Sequence, residues 1–587
     1  MFFGQMRKEI DCEGRKNHEF ALNSGKSLLS LLAVFFLYFI LTLIIFKHRW
    51  LDNNIFDVYS MSDNDTDGTI WYVWLKAKYY GLFETMSVIH TISYPFGHDV
   101  SHAPFYNLID EIRAELLRWA NLDIRWLIFI VNASALITYP LASFFTYIFL
   151  VSISKARFAA FLGGIIFGFN GMLIFHSRGS MSINHPWLLP LIMLFIWMAY
   201  EKKRWWYLLL AGMITSLQFA INAYWGFFAG LIGFLFYLAL QWGRISALRS
   251  ICSYVVFFAI GLFLFNFQYI ADFYFLIIDP VRSALVRPEG QIITNLLPAG
   301  VVLFPNVHSL LYPFYGNTEG GFLGYIPITI FIASLLIKNN WQNRLYMASV
   351  VGVLSSLALS TYFPAFYPLN KLYFEVFGTF RGVSRIIMFT SLFLAVIVIF
   401  TLSKYELNLF SPRRKLVYHC IVGLLMAAYI LEVFPTSSTI YDTTDFSKVR
   451  DVYSPLRKMK NITAIAGYPM TYSNINYGGA PLYELLGQVV HEKPIAGAKD
   501  LRMLERDPGS EPFLGDINDS GTIDRLKSNG INTIIIYNKL LSDSGSINKR
   551  LKSDTRAAYV GRYHIPEAEC GHTLLCRSLD YSVYTIL

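Results

Sequence analysis

Roughly eleven stretches of this sequence are apolar for long enough to cross a lipid bilayer, and this limits the possible folds more than any other feature. They lie near 27–47, 124–150, 157–176, 184–201, 205–222, 225–241, 250–275, 321–337, 345–361, 386–403 and 416–434. A hydrocarbon core about 30 Å thick takes about 20 helical residues, and a helix satisfies its own backbone amides where water is absent. Composition agrees. Of all residues 55% are hydrophobic and only 15% charged, whereas roughly a quarter are charged in a soluble domain. The expected fold class is mainly α, a polytopic transmembrane helical bundle over 27–434.

Lysine and arginine orient such a bundle, because they collect on the cytoplasmic side. The leader, 1–26, holds Arg7, Lys8, Arg15, Lys16 and Lys26. Every second connection repeats the signal: Lys155 and Arg157; Lys202, Lys203 and Arg204; Arg244 and Arg249; Lys338 and Arg344; Arg413, Arg414 and Lys415. Lys47 and Arg49 dissent and are outvoted. This places the N-terminus inside and, with an odd number of helices, the C-terminus outside. The first helix reads as a retained anchor, since no small-residue cleavage pattern follows it. The net charge of +9 sits largely in these clusters, so its expected partners are membrane lipids and not nucleic acid.

With that parity the outer face owns three long loops, 48–123, 277–320 and 362–385, and a polar tail, 435–587. The tail reads as a small extracytoplasmic α/β domain. TAIAGYP and NTIIIYNKL have the β-branched apolar character of buried strands, and TIDRLKSNG reads as a helix closed by a glycine. Cys252 and Cys420 fall in apolar segments as small packing residues, while Cys570 and Cys576 stand six apart as a candidate disulfide.

Chemistry is therefore sought outside. SMSDNDTDGTIWYVW, soon after the first helix, sets Asp63, Asp65 and Asp67 at alternate positions with Asp57 close before them. Crowded carboxylates raise one another's pKa or recruit a cation, so one of them suits a general base. The competing reading is a solvated acidic turn capping the next helix. YPFGHD and His102 follow as a turn, and Trp71 and Trp74 suit an interfacial aromatic belt. Asp279, Arg282, Arg287 and Glu289 form a second cluster with Glu319 in YGNTEGGFLGYIP; FRGVSR adds Arg381 and Arg385. Arginines outside run against the charge rule, and paired guanidinium binding of a phosphate is one reason for them, head-group contact another. FHSRGSMSINHPW brings His176, Arg178, Asn184 and His185 to a short outer connection, where they suit a cavity lining or a wet interface. GDINDSGTID imitates a calcium loop but has Lys527 where the bidentate Glu belongs, so it reads as a turn with a helix cap.

The order of these motifs, an Asp-rich first outer loop, IWYVW, YPFGHD, FGFNGMLIFHS, PWLLPL, EGGFLGY and FRGVSR, resembles bacterial polytopic proteins of the GT-C glycosyltransferase fold, including the YfhO type. The resemblance covers nearly the whole chain. It implies an inverting transferase in the bacterial inner membrane that takes sugar from a polyprenyl-phosphate-linked donor. The acceptor would be a glycan or lipid-linked envelope molecule at the external face. Asp65 and Asp67, with Asp63 adjacent, match the family's acidic position for base or metal; Arg385, then Arg381, match the carrier-phosphate position. No cofactor is certain, though a divalent metal, Mg or Mn, is an option in this fold. Two other readings stand beside it: a transporter or flippase for lipid-linked sugars, and a non-catalytic polysaccharide assembly factor.

Overall fold

The computed structural model describes residues 25–50, 54–60, 64–81, 84, 88–91, 94, 98–99, 108–176, 185–242, 251–264, 322–360, 383–408, 411–434, 443–468, 480–496, 517–519, 521–539, 543–564 and 580–587. All eleven apolar stretches contain helix. The first is α1 (Gly25–Ile45). Between it and the second lie α2 (Asn64–Tyr79) and α3 (Leu108–Trp119), which belong to the loop. The bundle continues with α4 (Ile124–Ser154), α5 (Arg157–Gly168), the short α6 (Gly171–His176), α7 (Leu189–Lys202), α8 (Trp206–Ile221), α9 (Ala223–Gln241) and α10 (Ile251–Leu264). It closes with α11 (Tyr325–Leu335), α12 (Arg344–Ser360), α13 (Ile387–Asn408) and α14 (Pro412–Val433). Five of these, α1, α4, α9, α13 and α14, are long and apolar enough to cross a membrane. The protein is a polytopic membrane bundle with a small sheet domain in its tail.

Burial sorts the helices. The apolar window of α13 is 83% buried, that of α1 only 17% and that of α14 28%. The first is the axis of the bundle and the other two are its lipid-facing flank. Glu406 near the end of α13 accepts from Phe158 N (3.3 Å) and Ala159 N (3.1 Å), supplying the donors at the start of α5 with a partner. Small residues set the closest approach. A Cβ built on Gly212 of α8 would lie 2.3 Å from Phe258 O, and one on Gly261 of α10 would lie 2.3 Å from Leu209 O, so these backbones touch directly. A π-helical turn, Tyr254–Phe258, widens α10 next to this contact.

Three expectations are corrected. The stretch 157–176 is two helices, because Asn170 leaves the ladder: its Oδ1 accepts from Leu173 N (3.1 Å) and so starts α6. Cys252 and Cys420 are exposed on α10 and α14 and are not packing residues of the core. Trp71 and Trp74 are buried in a core shared with the tail and do not form a belt.

The first loop holds β1 (Val58–Ser60) and the antiparallel pair β2 (Val88–Ile89) and β3 (His98–Asp99), and the tail begins with β4 (Thr443–Asp445), which pairs antiparallel with β1. Its four-stranded sheet, in the order β5 (Ile465–Tyr468), β6 (Thr533–Tyr537), β8 (Asp580–Ile586), β7 (Ala557–His564), is parallel between β5 and β6 and antiparallel elsewhere. Helices cover both faces. Ile534 and Ile536 of β6 meet Leu526 of α17 (Thr522–Ser528) and Leu551 of α18 (Ser544–Ser553). Ile535 and Tyr537 turn to Val452 of α15 (Phe446–Lys458) and Leu486 of α16 (Ala480–His491). A strand buried on both faces must be apolar at every position, which is why NTIIIYNKL does not alternate. The glycine expected to close α17 is Gly530, at φ +76, where Ile531 N returns to Leu526 O at 3.0 Å. The second core does not stop at the tail. It runs on through Ile70, Trp71, Val73 and Leu75 of α2, Ala114 and Leu117 of α3, and Leu127, Ile128 and Val131 of α4.

Candidate functional site

The acidic turn lies at the start of α2, whose first residues include Asp65 and Asp67. Their backbone is described and their side chains are not; Asp63 lies outside the described residues. The helix behind them is held on every side. Trp71 Nε1 donates to Gln488 Oε1 of α16 at 2.7 Å, and Gln488 Nε2 donates to Thr91 O (2.6 Å) and Lys493 O (3.2 Å). Lys76 pairs with Glu111 of α3 at 3.1 Å, both buried, and Tyr72 Oη donates to the same Glu111 Oε1 at 3.0 Å. Lys78 and Arg457 (3.0 Å) both bind Glu492. Asp57, expected to join the acidic cluster, instead accepts from Asn54 Nδ2 (2.6 Å) and lies 3.3 Å from both Arg125 and Arg450, joining loop, bundle and tail.

A second buried polar group surrounds Arg113 of α3. It pairs with Asp110, donates through Nε to Ser134 Oγ (2.8 Å), and lies 3.2 Å from His185 Nε2 through Nη2. His185 Nδ1 is 2.7 Å from Thr138 Oγ1, and His185 O accepts from Gln218 Nε2 of α8 at 2.9 Å. A guanidinium only donates, so His185 Nε2 accepts and Nδ1 carries the proton offered to Thr138. Burial pushes the His185 imidazole well below its ordinary pKa, and the charge of Arg113 adds to this. Burial also lowers the Arg113 guanidinium, with Asp110 opposing the shift. Both ring nitrogens of His185 are engaged within the protein.

Gln218 stands four residues before Asn222, which caps α9 through Trp225 N at 3.3 Å. Tyr224 follows in the first turn of α9, and the Arg385 guanidinium lies over its ring at 4.3 Å. Arg385 sits on the 3₁₀ turn Val383–Ile386 ahead of α13, half-buried. Its Nε and Nη1 are buried with no hydrogen-bond partner among the described residues. A ring face holds a cation without using its N–H groups, so those donors stay available. The chain of contacts α3–His185–α8–α9–Arg385 puts this arginine at the end of the bundle that carries α2 and the tail.

Of the other expected site residues, Arg178, Arg282, Glu319 and Arg381 lie outside the described residues, and His176 ends α6 with its side chain undescribed. Cys570 and Cys576 also lie outside. Asp519 of the calcium-like turn pairs with Arg525 and accepts from Gly521 N at 3.1 Å, an Asx turn, while the N-cap of α17, Gly521, has no side-chain cap. No three His, Cys, Asp or Glu side chains converge among the described residues. Sequence reasoning missed Lys76, Asp110, Glu111 and Arg113. Their signal was present in IDEIRAELLRW, where charges share the α3 face with Ala114 and Leu117.

No family model and no curated protein sequence matches the chain. Solved structures do. The archaeal oligosaccharyltransferase AglB from Archaeoglobus fulgidus, in complex with an inhibitory peptide and a dolichol-phosphate, superposes with a TM-score of 0.50 at 12% identity, over 92% of this chain and 74% of its own. The Archaeoglobus fulgidus oligosaccharyltransferase tethered to an acceptor peptide with the NVT sequon gives 0.51 at 12%, over 91% and 73%. The arabinofuranosyltransferase AftD from Mycobacteria gives 0.50 at 13%, over 95% of this chain and 40% of that one. The chain has the GT-C fold. Within a GT-C fold the likeness takes in the tail as well as the bundle, since over nine-tenths of the chain is covered in each comparison.

Proposed function

We propose that this protein is a membrane glycosyltransferase that moves a sugar from a polyprenyl-phosphate carrier to an envelope or surface glycan acceptor at the external face. The observation that carries the reading is Arg385, a guanidinium held on an aromatic face with two buried N–H-bearing nitrogens unused. Such a group has a strong reason to meet an anion, and a phosphate matches its planar fork. Two proteins similar in fold are an oligosaccharyltransferase and an arabinofuranosyltransferase, and the solved complex of the first holds a dolichol-phosphate.

In the proposed step Asp65 or Asp67, with Asp63 beside them, removes the proton from an acceptor hydroxyl. The oxygen attacks the anomeric carbon from the side opposite the carrier. The carbon–oxygen bond to the phosphate breaks with its electron pair on the departing oxygen, and the sugar inverts. Arg385, with Arg381 beside it in sequence, stabilises the charge gathering on the lipid phosphate. His185 keeps the wall behind the site in place through Arg113. A bound Mg or Mn would be held by the loop carboxylates and would neutralise donor phosphate.

The test is transfer itself, read by mass spectrometry of surface glycans and by release of carrier phosphate in proteoliposomes. Asp65→Asn or Asp67→Asn should lower transfer by about 10²–10⁴-fold, and Arg385→Gln by about 10²–10³-fold. Full transfer in the double Asp variant would exclude the proposed base. Carrier lipid crossing the bilayer with no sugar transferred would replace the reading with a flippase.

A further inference from the structure

The last residue of α12 is Ser360, fully buried, whose hydroxyl has no hydrogen-bond partner among the described residues. A serine inside a helix can donate to the carbonyl four residues back. Two others on α12 do so: Ser349 Oγ to Leu345 O at 2.8 Å and Ser356 Oγ to Gly352 O at 2.6 Å. Ser360 has Ser356 O in the same relation and leaves it unused. A buried hydroxyl without a partner is unfavourable, so this one calls for a partner from outside its helix.

The register between α12 and α13 shows what lies opposite. The Tyr346 and Phe400 rings meet at 6.5 Å, a Cβ built on Gly352 would lie 2.5 Å from the Phe393 ring, and Ser356 Oγ is 2.7 Å from Thr390 Oγ1. As one helix advances the other retreats, so the pair is antiparallel. One further turn sets Ser360 opposite Ile386, beside Arg385 in the 3₁₀ turn, which packs on α12. The start of α9 supplies Tyr224, whose ring holds the Arg385 guanidinium at 4.3 Å, and α9 also packs on α12. Three buried polar atoms without partners among the described residues therefore share one level: Ser360 Oγ, Arg385 Nε and Arg385 Nη1. Both α9 and α13 begin at this end while α12 finishes there, so two positive helix ends stand against one negative end.

We propose, on the transferase reading, that Ser360 is a second ligand of the phosphate that Arg385 binds, its hydroxyl donating to one phosphate oxygen while the guanidinium donates to another. Both groups are donors, which suits an anion and gives a cation nothing to bind. The hydroxyl adds no charge. It adds direction, because a tetrahedral phosphate must present two oxygens at once, one to each helix. The ligand class is a lipid-borne phosphate, which a polyprenyl carrier and a phospholipid head group both present.

Native mass spectrometry of the full chain in detergent, with undecaprenyl phosphate, undecaprenol or phosphatidylglycerol added, tests it. Ser360→Ala should weaken undecaprenyl phosphate binding by about 10-fold, the loss of one hydrogen bond to a charged group. Ser360→Cys, which keeps the volume but donates weakly, should weaken it similarly, and Arg385→Gln at least as much. Undecaprenol, which lacks the phosphate, should bind all four proteins alike. The melting temperature of Ser360→Ala without added lipid should not fall, since the variant removes an unpaired hydroxyl; a fall would make the hydroxyl structural and overturn the assignment. Wild-type affinity in Ser360→Ala beside a loss in Arg385→Gln would also overturn it and leave the transferase reading standing. Wild-type affinity in both variants would remove the phosphate site and that reading with it. Phosphatidylglycerol bound as tightly as undecaprenyl phosphate would make the ligand a head group and overturn the carrier assignment.

Discussion

Arg113 has three acceptors on three elements: Asp110 on its own helix, Ser134 on α4 and His185 in the connection before α7. An ammonium cannot span that arrangement, so Arg113→Lys is not a conservative change here. Arg113→Leu removes the Arg113 cation from the buried Asp110 carboxylate, and thermal unfolding in detergent should show a loss of about 3–5 kcal/mol. Adding Asp110→Asn to that variant should recover part of it; an additive double variant would mean that the two side chains do not depend on each other. Gln488 makes a similar point with an amide. Only an amide can accept from Trp71 and donate to Thr91 O and Lys493 O at once. The residue types were readable in sequence, but most of their partners were not, because the contacts with Ser134, His185, Trp71 and Thr91 join segments tens to hundreds of residues apart. Arg385 drew notice for the opposite reason: on the expected topology it is an arginine on the outer face, which the charge pattern leaves unexplained.

At the scale of elements, periodicity and length did most of the work for the bundle and less for the tail. Apolar runs of bilayer length became helices wherever they are described, since no other structure closes the backbone in lipid. Boundaries shifted where a side chain competes with the ladder, as Asn170 does. In the tail, β5 and β6 were visible because both faces are buried. The edge strand β7 leaves half of its residues exposed and carries no such signal. One element has a pH dependence of its own. His491 closes α16, accepts from Lys493 N at 3.0 Å, and is held down to about 3, by burial first and Lys493 second. Its folded pKa lies below the unfolded value of about 6.5, so the unfolded chain binds the extra proton as pH falls from there towards 3. Stability contributed by the neutral ring is complete above 6.5 and declines by about 1.4 kcal/mol per pH unit through that window. His491→Asn should flatten that part of the melting-temperature profile, and an unchanged slope would show that other groups cause it.

At the scale of the molecule, the tail and the first loop behave as one body although the sequence separates them by some three hundred residues. Domain limits of 27–434 and 435–587 follow composition, which changes where the apolar segments end. Packing follows another line. The core around Trp71 and Tyr581 draws on α2, α3, the start of α4 and the tail sheet, and β1 pairs with β4. Asp57 is the charged centre of that joint: buried, it faces Arg125 at the entry of α4 and Arg450 on α15, while its carbonyl accepts from Phe446 N at 2.6 Å. Asp57→Ala removes a buried anion from between two arginines and should destabilise loop and tail together, by about 2–4 kcal/mol. Hydrogen exchange decides the matter. Amides of α2 and α15 should open with the same free-energy change in the variant, while those of α13, deep in the bundle, stay protected. If α15 loosens and α2 does not, the tail folds independently of the loop. The acidic turn of α2 is then positioned by its packing on α3 and α4.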